Sequence, residues 1–297
     1  MCAVFGYLDY KGKIENVILK KLIRNLSIAA EVRGTDATGI SYVNHEKVVT
    51  FKKAKPAHKV KLYFPKNTRT VIGHTRMTTQ GSEKYNHNNH PFNGRCGTET
   101  FTLAHNGVLY NDAELKAKYH LPKTQIETDS YVAVQLLEQE KQLHAESIKK
   151  MTESVEGSFV FTILRNDNTL FLVKGNNPLT LYHFPKLGIY VYASTKSILD
   201  NALQQVNLSD KCCEIDVSEG EILEIASNGK LSKTAFAMQD YTHFVFSPYN
   251  WYEAEEQKEF LLECCQMFGV PEEDVYLLLD YGFPSESDQE KVKNGQK

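Results

Sequence analysis

The order of the apolar segments constrains this chain more than any other feature. Residues 2–8, Cys-Ala-Val-Phe-Gly-Tyr-Leu, carry no charge and read as a strand that starts at the terminus itself. Ile14, Ile18, Leu22 and Leu26 then recur every four residues, which predicts a helix with one buried face that ends near Gly34. Short apolar runs bounded by Gly, Asn or Pro follow at Gly39 to Val43, Thr70 to Arg76 and Glu99 to His105, as strands do. Asn111 and Thr128 read as helix N-caps, and Val132, Val134, Leu136 and Leu137 after Thr128 predict a second long helix. Gly157 to Leu164 and Thr169 to Lys174 flank Arg165-Asn166-Asp167-Asn168, a hairpin signal. Strands at Leu179 to His183, Gly188 to Ala193 and Glu221 to Ile225, with a short helix near Thr195 to Leu203, complete the main body. This is not the regular alternation of a parallel α/β fold. It predicts antiparallel sheets with helices on their outer faces, an α+β layered body over residues 2–225.

Charge sharpens the picture. The formal net charge of −3 argues by itself against a nucleic-acid partner. It hides two opposed segments. Residues 47–69 carry eight Lys or Arg and no acid, whereas residues 253–290 carry twelve Asp or Glu and one Lys. The basic run, with Phe51, Tyr63 and Phe64 interleaved, reads as a solvated hairpin, the alternative being a phosphate or nucleic-acid face. Beyond the main body, Phe260, Leu261, Cys264, Cys265 and Phe268 fall at helical spacing, and Pro271-Glu272-Glu273-Asp274 reads as the first turn of another helix. Residues 226–283 are therefore expected to form a small acidic helical appendage, and residues 284–297 a disordered tail. No apolar run approaches the roughly 18 residues needed to cross a bilayer.

The six cysteines form neither a disulfide scaffold nor a zinc pattern, since Cys212-Cys213 and Cys264-Cys265 are adjacent. These four are expected to be buried or inert thiols. With no secretory signal at the N-terminus, a cytoplasmic location is expected. Cys2 is different. It follows Met1, and an aminopeptidase removes Met before a small residue. Cys2 would then carry both a thiol and a free α-amine, whose pKa of about 8 suits it to take a proton from its own thiol.

Five further segments accompany Cys2 in order: Arg33-Gly34-Thr35-Asp36, then Gly73-His74-Thr75-Arg76-Met77-Thr78-Thr79-Gln80-Gly81, then Asn89-His90-Pro91-Phe92, then His105-Asn106-Gly107 with Asn111 behind it, then Glu127-Thr128-Asp129-Ser130. In this order and spacing the chain closely resembles the class II glutamine amidotransferases, a family of the N-terminal-nucleophile (Ntn) hydrolases. The likeness covers roughly residues 2–225, with Glu156 to Phe159 and Tyr192 to Ser194 similar to its later core strands. It implies a four-layer αββα sandwich of antiparallel sheets and hydrolysis of the glutamine side-chain amide. It also assigns roles: Cys2 as nucleophile, Asn106 and Gly107 as the oxyanion hole, and Arg33 as support for the N-terminal strand. Arg76 falls on the residue for the substrate carboxylate, Asp129 on that for its ammonium, and Thr79 on a hydroxyl contact. The chemistry agrees with these roles. A tetrahedral oxyanion needs preorganised donors, and a guanidinium fork matches a carboxylate.

The sequence departs from the family at Met77, where relatives carry Trp or Tyr, and at Gln80, which is His in the glucosamine-phosphate enzymes. His74, His87, His90 and Cys96 are not expected to bind a metal, and no cofactor is expected. The segment after residue 225 is too short for the synthase units that accept ammonia in such enzymes. The expected partners are glutamine and a separate synthase or acceptor subunit, with no membrane and no nucleic acid. The alternatives are a free-standing γ-glutamyl amidohydrolase and a catalytically idle interaction module. The acidic appendage is expected to fold over the basic run or to be displaced from it by a partner.

Overall fold

Alternation along one strand sets up the core. β1 (Ala3–Asp9) is buried along its whole length. Successive side chains of a strand face opposite ways, so Ala3, Phe5 and Tyr7 enter one core while Val4 and Leu8 enter another. α1 (Asn16–Ala29) closes the first core with Leu19, Leu22, Ile23 and Leu26. The computed structural model describes residues 2–238 except 207 and 209, all within the first of two compact units, Met1–Gln239 and Asp240–Lys297.

After α1 come β2 (Ala37–Asn44), β3 (Lys47–Lys53), β4 (Thr70–Arg76), β5 (Phe92–Cys96) and β6 (Glu99–Leu109). Three helices follow, α2 (Asp112–Lys118), α3 (Tyr131–Glu138) and α4 (Ala145–Ser154). The chain continues through β7 (Gly157–Arg165), β8 (Leu170–Lys174), β9 (Thr180–Phe184), β10 (Ile189–Ala193) and α5 (Lys196–Gln204), then β11 (Cys213–Ile215), β12 (Glu221–Ile225) and β13 (Leu231–Ala235). One sheet has seven strands in the order β11-β9-β10-β1-β4-β2-β3, the other six in the order β13-β12-β8-β7-β6-β5. Every pairing is antiparallel.

Three apolar cores separate four layers. α1 and α5 pack on the outer face of the seven-stranded sheet. Val4, Leu8, Ile72, Ala104, Val160, Leu164, Leu172 and Tyr192 fill the space between the sheets. α3 and α4 cover Phe101, Leu103, Phe161 and Val173 on the outer face of the six-stranded sheet. This is the α+β sandwich of antiparallel sheets that the sequence predicts.

Several local expectations need correction. The run after Thr128 forms not one long helix but the eight-residue α3, buried on nearly all sides. It stops where the polar stretch from Gln139 begins, and α4 restarts with a capping box between His144 and Ser147. Ser130, not Thr128, is the N-cap of α3. Asn111 does sit at the N-cap of α2, but its side chain is spent elsewhere, donating to the Ser154 carbonyl (3.0 Å) and accepting from the Glu156 N–H (2.9 Å). The main body does not end at Ile225, because β12 turns into β13 and extends the six-stranded sheet to Ala235. The remainder of the expected appendage and the tail lie outside the described residues.

The first part of the basic run is the outer arm of a hairpin at a sheet edge. β3 pairs with β2 through a two-residue turn in which His45 and Glu46 have φ of 48° and 58°. Phe64 is fully buried and Phe51 packs against the core, so of the three aromatics only Tyr63 stands exposed. Cys212 and Cys213 are exposed free thiols, which leaves the inert-thiol alternative for them, while Cys264 and Cys265 lie outside the described residues. Among the described residues, no helix is long and apolar enough to cross a membrane.

Candidate active site

The pairing of β1 with β4 carries Cys2 to the end of β4. Ala3 lies opposite Thr75, so the residue before it meets the Arg76–Met77 turn. The Met77 N–H points at the Cys2 sulfur over 3.4 Å, and the thiol lies 3.4 Å from the Met77 carbonyl. Arg33 Nε donates to the Cys2 carbonyl (2.8 Å), fixing the strand end from the segment after α1. Gly34 permits that approach, since a Cβ there would sit 2.4 Å from the Arg76 backbone. Asp36 then accepts from the Thr78 N–H (2.7 Å), holding the loop that follows Arg76.

Arg76 is buried, and its guanidinium is clamped. Nη1 donates to Asn89 Oδ1 (2.7 Å), and Nη2 to the carbonyls of Gln80 (2.6 Å) and Gly81 (2.8 Å). These bonds use three of its five N–H groups. Burial lowers its pKa, countered by Cys2, Glu83, Asp36 and Asp129. Thr79, Gln80 and Met77 are exposed on the loop. Asn88 and Glu127 lock the far side of this loop to the segment bearing Asp129, through Asn88 Nδ2 to Glu127 Oε2 (2.8 Å) and Glu127 N–H to Asn88 Oδ1 (2.9 Å).

Asn106 and Gly107 lie near the end of β6. The Asn106 side chain is buried, with Nδ2 donating to Ser194 Oγ over 3.5 Å. Ser194 Oγ also accepts from the Val4 N–H (2.9 Å), so one hydroxyl joins Asn106 to the strand that carries Cys2. Asn177 Nδ2 donates to the Asn106 carbonyl (2.9 Å). Gly107 has φ of 149°, and a Cβ there would lie 1.8 Å from the Ser158 carbonyl oxygen. Asp129 is buried and accepts from the Leu109 N–H (2.6 Å), two residues past Gly107. Ser130 donates to Asp129 Oδ1 (3.3 Å) and lies 2.7 Å from His105 Nδ1.

Electrostatics separate the groups. Burial pushes the Cys2 thiol up, the Met77 N–H, the N-terminal charge and Arg76 pull it down, and Asp129 adds a smaller upward push. The thiol is thus protonated at neutral pH and needs a base to become a nucleophile. Burial also holds His74 at about pH 3 and His90 well below the usual histidine range, and lowers His105. His74 Nε2 donates to the His105 carbonyl (2.9 Å), and its ring packs 4.3 Å from that of His90. Buried and lowered in this way, the three rings are neutral at pH 7. Among the described residues, no group of three His, Cys, Asp or Glu side chains is placed to hold a metal ion.

The structure therefore brings Cys2, Arg33, Arg76, Asn106, Gly107 and Asp129 to one end of the two sheets, with Thr79 on the loop beside them. Sequence reasoning assigned no role to Asn89, Ser130 or Ser194, although each lies inside a recognised motif. Asn177 carried no signal, since Asn-Asn-Pro after a strand reads as an ordinary turn.

Comparison with known proteins agrees with this geometry. Residues 74–201 match the family described as glutamine amidotransferase domain. Glutamine–fructose-6-phosphate aminotransferase (isomerizing) of Bacillus subtilis is 27% identical over 281 residues, covering 90% of this chain and 45% of that protein. 7-Cyano-7-deazaguanine synthase 2 of Sulfurisphaera tokodaii is 27% identical over 287 residues, covering 87% of this chain and 61% of that protein. The solved glutamine phosphoribosylpyrophosphate amidotransferase of B. subtilis shares the fold, with a TM-score of 0.62 at 22% identity, over 80% of this chain and 50% of that one. The chain spans less than half the length of the aminotransferases it matches. Residues 74–201 thus match a glutamine amidotransferase domain, and the chain as a whole is similar to enzymes built on one.

Proposed function

We propose that this chain hydrolyses the side-chain amide of glutamine to glutamate and ammonia, with Cys2 as the nucleophile, and passes the ammonia to a separate acceptor enzyme. The observation that carries this reading is the Cys2 sulfur held against the Met77 backbone at the end of β4, with Ser194 Oγ joining Asn106 to Val4 of the strand that carries Cys2. Removal of Met1 frees the α-amine of Cys2, which takes the thiol proton. The sulfur attacks the amide carbon, and the oxyanion falls to Asn106 Nδ2 and the Gly107 N–H. The protonated amine returns its proton to the leaving nitrogen, ammonia departs, and water cleaves the thioester to give glutamate. Arg76 receives the α-carboxylate, Asp129 the α-ammonium, and Thr79 contributes its hydroxyl.

The test is glutamine turnover by the chain after mass spectrometry has established loss of Met1. Cys2→Ala and Cys2→Ser should each lower kcat by about a thousandfold or more. Unchanged turnover in Cys2→Ala would overturn the nucleophile assignment. A panel of γ-glutamyl amides at matched concentration checks the substrate. A much higher kcat/KM on any of them than on glutamine would replace the ammonia-donor reading with a γ-glutamyl amidohydrolase.

A further inference from the structure

Lys52 is the one member of the basic run that turns inward to the site's support. It lies on β3 directly opposite Gly39 of β2, and Gly39 lies opposite His74 of β4. This rung forms a seat for the segment that carries Asn89, His90 and Pro91. At Gly39 a Cβ would stand 2.1 Å from the His90 carbonyl oxygen and 2.9 Å from Pro91, so glycine leaves the space. Lys52 supplies the donors. Its Nζ reaches the Asn89 carbonyl (2.5 Å) and the Pro91 carbonyl (3.1 Å), and sits 4.8 Å from the Phe92 ring centre. Asn89, held by its backbone from Lys52, presents its side-chain oxygen to Arg76 Nη1 (2.7 Å) and its side-chain nitrogen to the Glu83 carbonyl (2.8 Å). The only route from β3 to the guanidinium in this set of bonds runs through one residue.

We propose that Lys52 is a positioning residue for substrate binding, holding Asn89 so that Arg76 presents its remaining N–H groups to the substrate's α-carboxylate. This rests on the reading of Arg76 given above. The two carbonyls that Lys52 binds are stronger acceptors for an ammonium than for an amine. The groups that face it are Arg76 and His74 from β4 and His90 from the seated segment, and among the described residues no carboxylate lies within ion-pair distance. Burial, followed by the charge of Arg76, lowers its pKa to about 8. The ammonium form therefore prevails below that pH and fades above it. Glutamine KM should rise as pH passes 8, while kcat, set at Cys2, follows its own profile.

The sign for stability is opposite. The folded-state pKa is depressed from 10.5, so between about 8 and 10.5 the unfolded chain binds more protons and the contribution of Lys52 to stability rises with pH. A merely structural lysine would not make substrate binding worsen over the range in which its own contribution to stability improves.

The experiment compares the full chain with Lys52→Met and Lys52→Arg in steady-state glutamine hydrolysis from pH 6.5 to 9.5. Lys52→Met should raise KM roughly tenfold at pH 7, with kcat within about twofold of the parent. Lys52→Arg, which keeps the charge, should restore most of the binding and flatten the rise of KM above pH 8. If Lys52→Met leaves KM unchanged, or lowers kcat while KM holds, the proposal is overturned. If the parent chain shows no Cys2-dependent glutamine turnover, the functional reading fails separately. Lys52 is then judged by calorimetric titration of the parent and Lys52→Met with L-glutamine: weaker binding to the variant sustains the positioning role, and equal or absent binding to both ends it.

Discussion

At Gly107 the backbone allows no side chain. Its φ of 149° lies in a region that L-residues rarely adopt, and the Ser158 carbonyl occupies the place of a Cβ. Gly107→Ala should lower the unfolding free energy by about 2–4 kcal/mol in denaturant titration and reduce kcat for glutamine at least a hundredfold. A variant of parental stability and rate would show that the strand end can shift to accept the methyl. This glycine was legible in the sequence because it stands in one of the ordered motifs that carry the family resemblance, as do Cys2, Arg76, Asn106 and Asp129. Lys52 was not legible, because one inward lysine in a run of eight basic residues looks like its solvated neighbours until register fixes which way it faces. Asn177 was hidden for a related reason: its bond to Asn106 joins residues 71 positions apart, and nothing local announces it.

At the scale of elements, the predicted strands that proved right are the interior strands of the two sheets. The ones missed, β3, β5, β11 and β13, are the four outer edges of the two sheets. Edge strands carry charge and polar residues that discourage pairing with another molecule, and so lose the pattern by which strands are read. Lys47, Lys52 and Lys53 on β3 fit that description. The long helix expected after Thr128 failed because an all-apolar run gives no period to follow, so its length could not be judged. Asn111 offers a test of how elements are joined. It was read as a cap for α2, but its amide bridges the end of α4 to the start of β7. Asn111→Ala should cost about 1–3 kcal/mol of stability with an unchanged denaturant slope, as two partly buried bonds are lost. A loss below about 0.5 kcal/mol would mean that water replaces both.

At the scale of the whole molecule, the described residues of the first unit build three cores between Ala3 and Phe236. A chain ending at Gln239 should therefore unfold in one cooperative transition, followed by circular dichroism and by tryptophan-free near-ultraviolet signals of its tyrosines. A broad or absent transition would show that the second unit is required. The architecture also has a consequence in time. β1 bonds to β4 on one side and to β10 on the other, and β10 lies some 180 residues further along the chain. At a synthesis rate of about 5–20 residues per second, roughly 10–40 s separate the appearance of these two strands at the ribosome. Throughout that interval β1 can be zipped along one edge at most. The strand that delivers Cys2 is thus the first made, yet it waits for most of the first unit to be synthesised before both of its edges are paired.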